Sequence, residues 1–136
     1  MRHVLHLKVR FHEVDAAGIV FYPRFFDYFH MAFEDFFGAA TGTDYAVWIR
    51  DRRIGWPAVH IEADYRTPLR YGEEFAVELG FRSIGRSSFV CVYRVVKREE
   101  TCAEAHVTVV TTDLDRMRPV PIPEQVRQAL ERHLAD

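Results

Sequence analysis

In the stretch VRFHEVDAAGIVFYPRFF, residues 9–26, Asp15 closes a short polar run, three residues before Gly18 and seven before Tyr22. Two readings are open for this carboxylate. It is a turn residue or helix cap, because Asp side chains accept hydrogen bonds from the backbone ahead of them. Alternatively, it is one half of an acyl-transfer apparatus. Gly18 lets the backbone turn closely. The first N–H groups of a helix beginning near Tyr22 lack intrahelical partners, and with the helix dipole they attract developing negative charge. A carboxylate within reach of them supplies a base or nucleophile, and the helix end supplies an oxyanion donor.

Rival chemistry is absent. There is no GxSxG elbow, no Walker A loop and no GxGxxG after a strand. His3, His6, His12, His30, His60, His106 and His133 form no HxxxH-type ligand set, so neither metal nor cofactor is expected. Cys91 and Cys102 lack CxxC spacing and read as reduced, half-buried strand residues.

The elements that must position Asp15 follow from periodicity. Leu5, Leu7, Val9 and Phe11 alternate with polar residues, which predicts a half-buried strand. On a helical wheel for 22–37, Tyr22, Phe25, Phe26, Phe29, Ala32, Phe33, Phe36 and Phe37 share one broad face. Arg24, Asp27, Tyr28, Met31, Glu34 and Asp35 share the other. Pro23 suits the first turn and Gly38 the stop. Four further alternating runs, 59–66, 75–82, 89–96 and 103–110, predict strands with one buried face each, joined by short turns. Such neighbours pair antiparallel. A short helix is predicted over 45–52 and a closing helix over 123–134. The order strand, long helix, four strands is α+β: a five-stranded antiparallel sheet against one aromatic helix.

Composition fits a single domain spanning 1–136: the chain is 49% hydrophobic and 28% charged, with net charge −2. That balance argues against nucleic-acid partners, and no apolar run is long enough for membrane insertion. With no secretory leader at the N-terminus, the expected compartment is cytoplasmic. Val90, Val92, Val96 and Val110 on the second sheet face predict cover by another copy.

The segment Phe11–Phe25, F-x-E-x-D-x-x-G-I-V-F-Y-P-x-F, resembles the hallmark of the hotdog-fold acyl-CoA thioesterases. It is most similar to the 4-hydroxybenzoyl-CoA thioesterase group and the related Tol-Pal-associated enzymes. GWPAVHIEADYRTPLRYGEE (55–74), GRSSF (85–89) and VPIPE (120–124) continue the similarity in the same order. The resemblance implies a sheet wrapped around a central helix and a homo-oligomer, dimer or homotetramer, with sites between subunits. It implies hydrolysis of an acyl-CoA substrate, either aromatic (4-hydroxybenzoyl-like) or short- to medium-chain. Asp15 falls where the family has its catalytic carboxylate, and Tyr22 where it has the N–H that polarises the thioester carbonyl. Gly18, Ile19 and Val20 accompany them on the substrate side. His30 falls where the acyl end is selected. Arg86, Ser87 and Ser88 fall on the hairpin that contacts the CoA pantetheine or nucleotide. Glu13 stands where many relatives have Asp and reads as structural or supporting. The alternatives are a non-catalytic acyl-CoA-binding hotdog protein and a hotdog dehydratase.

Overall fold

The computed structural model describes residues 1–135. Strand β1 (His3–Lys8) is followed by a 3₁₀ turn (Phe11–Glu13), the loop carrying Asp15, and helix α1 (Arg24–Phe36). Helix α1 runs on through a π-helical turn (Phe37–Thr41), and a second π-helical turn spans Val47–Asp51. Then come β2 (Ile54–Gly55), β3 (Ala58–Tyr65), β4 (Glu74–Arg82), β5 (Ser88–Lys97), β6 (Glu100–Val110), β7 (Thr112–Asp113), β8 (Arg118–Pro119) and α2 (Glu124–Glu131).

Five strands form the main antiparallel sheet, in the order β1-β4-β5-β6-β3. Phe75, Val77, Leu79 and Phe81 of β4 and Phe89, Cys91, Tyr93 and Val95 of β5 turn inward, as the alternation predicts. Their partners are the buried residues of α1: Phe25, Tyr28, Phe29, Ala32, Phe33 and Phe36. This spacing of three and four keeps one stripe of the helix against the sheet. Rings interlock there: Phe29 stacks on Tyr93 at 4.9 Å, and Phe36 meets Phe81 at 4.7 Å between centroids. The hairpin β5–β6 closes through Arg98 and Glu99, both at positive φ (50° and 68°), the geometry of a two-residue turn that matches strand twist.

Several sequence expectations are corrected. Strand β1 stops at Lys8, and Phe11 is exposed because the chain leaves the sheet through the 3₁₀ turn. Helix α1 begins at Arg24 rather than Tyr22, with Pro23 as its N-cap, and Tyr22 and Phe26 lie exposed. Tyr28, assigned to the polar face, is buried because its hydroxyl finds an acceptor in Glu13. The helix passes Gly38 and ends at Gly42, the residue at φ 78°. The cysteines are fully buried, so burial pushes both thiols above their ordinary range. Strand β3 has no buried face: it is one edge of the sheet, and α1 meets it at its last residue, where Phe25 lies 5.2 Å from Tyr65 between ring centroids. The small sheet β2-β7-β8 has strands too short for periodicity to reveal.

Candidate active site

The loop between β1 and α1 is cross-tied along its whole length. Val14 and Val20 form an antiparallel bridge, and the Asp15 N–H donates to the Ile19 carbonyl at 2.9 Å. The Gly18 N–H donates back to the Asp15 carbonyl at 3.0 Å. Gly18 sits at φ 78°, where a side chain costs about 1–2 kcal/mol. Asp15 is therefore a turn residue nine positions before α1, not the helix cap. Its Oδ1 accepts the Ala17 N–H at 2.9 Å. Among the described residues Oδ2 has no partner, and the side chain is exposed in the protomer.

The strap 69–72 backs this loop. The Val20 N–H donates to Leu69, Ile19 bridges Arg70, and the Tyr71 N–H donates to Gly18. Glu73 holds the strap by accepting the Arg70 N–H at 2.6 Å and pairing with Lys97 at 3.1 Å.

At the helix start the Arg24 and Phe25 N–H groups are taken by the Phe21 and Tyr22 carbonyls. Pro23 has no N–H. The Tyr22 N–H has no acceptor among the described residues. The Tyr22 N–H is thus left free just before α1, with the helix dipole behind it.

Around it the protomer exposes aromatic rings. Tyr22 is 64% exposed. Phe21 meets Tyr22 at 5.5 Å, Tyr22 meets Tyr65 at 6.3 Å, and Phe11 meets Tyr71 at 5.7 Å. His30 is exposed about two turns beyond, its Nδ1 3.6 Å from Glu34 Oε1 and its ring 5.6 Å from that of Tyr45. Burial, then the nearby Glu34 and Cys91, push the Tyr45 hydroxyl up to about 12, so it is a donor.

The structure divides the remaining expected site residues. Ile19 and Val20 share the Asp15 loop. Arg86, Ser87 and Ser88 do not: they lie at the other end of the sheet, nine residues along β5 from Lys97, which is about 30 Å. There the Ser87 carbonyl accepts Thr111 N–H, and the Arg86 carbonyl accepts Ile122 N–H. A groove of about 1270 Å³ lined by Lys8, Arg10, Glu13, Tyr28, Tyr71 and Phe75 includes neither Asp15 nor Tyr22. No three His, Cys, Asp or Glu side chains among the described residues come together as a metal site, and no helix there is long and apolar enough to cross a membrane.

One pair escaped the periodicity. The Tyr28 hydroxyl donates to Glu13 Oε1 at 2.9 Å, and burial, then the Glu13 bond and charge, hold that hydroxyl well above its usual range. Two signals pointed there. Tyr28 lies three residues after Phe25 and four before Ala32, and Glu13 shares the parity of the inward-facing Leu5, Leu7 and Val9.

Comparison with known proteins gives the class and then the family. The fold matches a solved gentisyl-coenzyme A thioesterase at 29% identity, with TM-score 0.83 over 91% of this chain and 98% of that one. It also matches a protein of Aquifex aeolicus at 28% identity, with TM-score 0.85 over 93% and 98%. A 1,4-dihydroxy-2-naphthoyl-CoA hydrolase of Synechococcus elongatus is 29% identical over 124 residues, 90% of each chain. These neighbours define a thioester hydrolase on the hotdog fold, the sheet wrapped around α1. Residues 9–130 match the model of the thioesterase-like superfamily, and the chain belongs to that family.

Proposed function

We propose that the protein hydrolyses an aromatic acyl-CoA to the free acid and CoA at a site formed by Asp15 and the Tyr22 N–H. The observation that carries this reading is the unpartnered Tyr22 N–H just before α1, on the same cross-tied loop as a carboxylate with one anchored and one free oxygen. The thioester oxygen is polarised by that N–H and the dipole of α1. Asp15 then acts in one of two ways. Its free oxygen attacks the carbonyl carbon, the C–S bond breaks, CoA leaves as thiolate, and water hydrolyses the mixed anhydride. Otherwise it takes a proton from a water that attacks instead. Thiolate leaves without strong acid assistance in either case.

An aromatic acyl group is supported by the exposed rings of Phe21, Tyr22 and Tyr65 near the donor. It is supported too by the hydroxylated aromatic substrates in the names of the relatives. His30 and Glu34 would meet a ring hydroxyl.

The reading includes a homodimer. Strand β3 offers an unpaired edge with Val59 62%, Ile61 49% and Tyr65 44% exposed. Two β3 edges paired antiparallel about a twofold axis would bring the Ala58 end of one copy against the Tyr65 end of the other. The Arg86–Ser88 hairpin lies at the Ala58 end, since the Pro57 carbonyl accepts Val110 N–H and Ser87 accepts from Thr111. A partner's hairpin would thereby approach Asp15, with Arg86 suited to CoA phosphate.

The test is thiol release from a panel of aromatic and aliphatic acyl-CoAs. Benzoyl- or naphthoyl-type thioesters should be preferred, and Asp15→Asn should lower kcat by about a thousandfold while CoA still binds. An Asp15→Asn enzyme near wild-type activity would sink the assignment. In single-turnover hydrolysis in oxygen-18 water, label entering the Asp15 carboxylate would establish the anhydride route, in which water opens the anhydride at the aspartyl carbon.

A further inference from the structure

The loop bearing Asp15 has two feet, and Glu13 holds both. At one foot its main-chain carbonyl accepts the Phe21 N–H at 2.9 Å, so residue 13 is tied to the residue just before Tyr22. At the other its side chain, in a residue only 6% exposed, turns inward. There Oε1 accepts two hydrogen bonds, from the Arg10 N–H at 2.7 Å and the Tyr28 hydroxyl at 2.9 Å. Tyr28 stands in the second turn of α1, packed against Phe75 of β4 at 4.8 Å. A buried carboxylate is costly unless its bonds are satisfied. A Phe at position 28 would fill the same space against Phe75 without needing an acceptor. This chain instead runs one continuous path from helix to carboxylate to loop.

We propose that Glu13 is the positioning residue of the site, and that its bond to Tyr28 fixes the Asp15 loop and the Tyr22 N–H against the axis of α1. The inference rests on the Asp15–Tyr22 reading above and adds what sets their spacing. The donor at Tyr22 belongs to the start of α1, while Asp15 belongs to the loop. The Glu13–Tyr28 bond connects the two, and small displacements between catalytic groups are enough to cost large factors in rate. Position, not charge, is what Glu13 supplies: Oε1 needs only two lone pairs, which an amide oxygen also has.

Three variants test this. Tyr28→Phe keeps the ring in its packing and deletes only the donor. Glu13→Ala deletes the acceptor. Glu13→Gln keeps an acceptor and removes the charge. Two readouts are taken on each: kcat and KM for the best thioester, and amide hydrogen exchange at Phe21. Expected are a kcat loss on the order of tenfold or more in Tyr28→Phe and Glu13→Ala, KM within about threefold, and faster Phe21 exchange. Glu13→Gln should keep both, along with the wild-type pH profile. Faster exchange without a kcat loss overturns the proposal, and so does a kcat loss without faster exchange. A Glu13→Gln enzyme with a shifted pH profile overturns it as well, because charge would then be the contribution. If Glu13→Ala does not fold, Tyr28→Phe carries the test. Asp15→Asn serves as reference. If it stays active, the site reading fails, while Phe21 exchange still decides whether the bond holds the loop.

Discussion

Replacing Ile61 with Lys probes the edge of the sheet where the site would be completed. Ile61 is 49% exposed in β3, so the protomer has used about half of its burial. Fully burying an Ile side chain contributes about 1.5–3 kcal/mol. The unused half is about 1 kcal/mol per copy, and a twofold interface counts it twice, giving about 2 kcal/mol. That alone weakens dimerisation by roughly 30-fold, before the ammonium's desolvation is added. A Lys also suits an unpaired edge strand. The protomer should lose at most about 1 kcal/mol of its own stability, because the side chain already half faces water. Sedimentation velocity across a concentration series gives the dimer fraction, and kcat/KM at each concentration gives activity per protomer. The expected outcome is a shifted dimer equilibrium with activity falling in step. A variant that dimerises like wild type would remove β3 from the interface. A monomeric variant with full activity per protomer would refute a shared site.

Two further outcomes concern stability. A Cβ at Gly80 would lie 3.0–3.2 Å from the Cβ, Cα and N of Ala135, in the C-terminal segment whose Leu134 pairs with Phe81. Gly80→Ala should therefore cost about 1–3 kcal/mol and lower Tm by roughly 3–10 °C; an unchanged Tm, with 133–135 still protected from exchange, would contradict this packing. Burial pushes the Glu73 carboxyl up, but the Arg70 N–H and Lys97 outweigh it and hold it below the ordinary 4.5. Its folded value is the lower one, so its contribution is complete above pH 4.5 and is lost as pH falls through the folded value. The stability difference between wild type and Glu73→Gln, read from urea midpoints, should shrink on acidification; a pH-independent gap would refute the assignment.

The order of elements was legible because period-two and period-3.6 patterns dominate β4, β5, β6 and α1, whose inner faces are buried on one side only. Pattern failed where the cause was not local. Strand β3 alternates like the others, yet neither of its faces is buried in the protomer, while β1 at the opposite edge of the same sheet keeps every second residue half-buried. The start of α1 moved to Arg24 because the chain at Tyr22 and Pro23 still belongs to the turn. Tyr28 was misassigned because a hydroxyl reads as polar until its acceptor, fifteen residues away, is known. Of the candidate site, Asp15, Gly18 and Tyr22 could be read from one short segment. The distance between Asp15 and Arg86–Ser88 could not, since it depends on which end of β5 faces the loop.

The aromatic corner of the core determines what light can report about this molecule. The chain has two tryptophans, and they sit together, Trp48 and Trp56, with ring centroids 5.8 Å apart. Trp56 packs on Phe37 at 4.7 Å, and Arg52 lies 4.3 Å above the Trp48 ring. Phe37 is about 22 Å along the helix from Tyr22. All indole emission thus comes from one buried pair at the far end of α1. Tryptophan fluorescence follows the melting of that corner and is blind to events at Asp15. The chromophores beside the loop are tyrosines, Tyr22, Tyr65 and Tyr71, and an optical titration of ligand must be read from them.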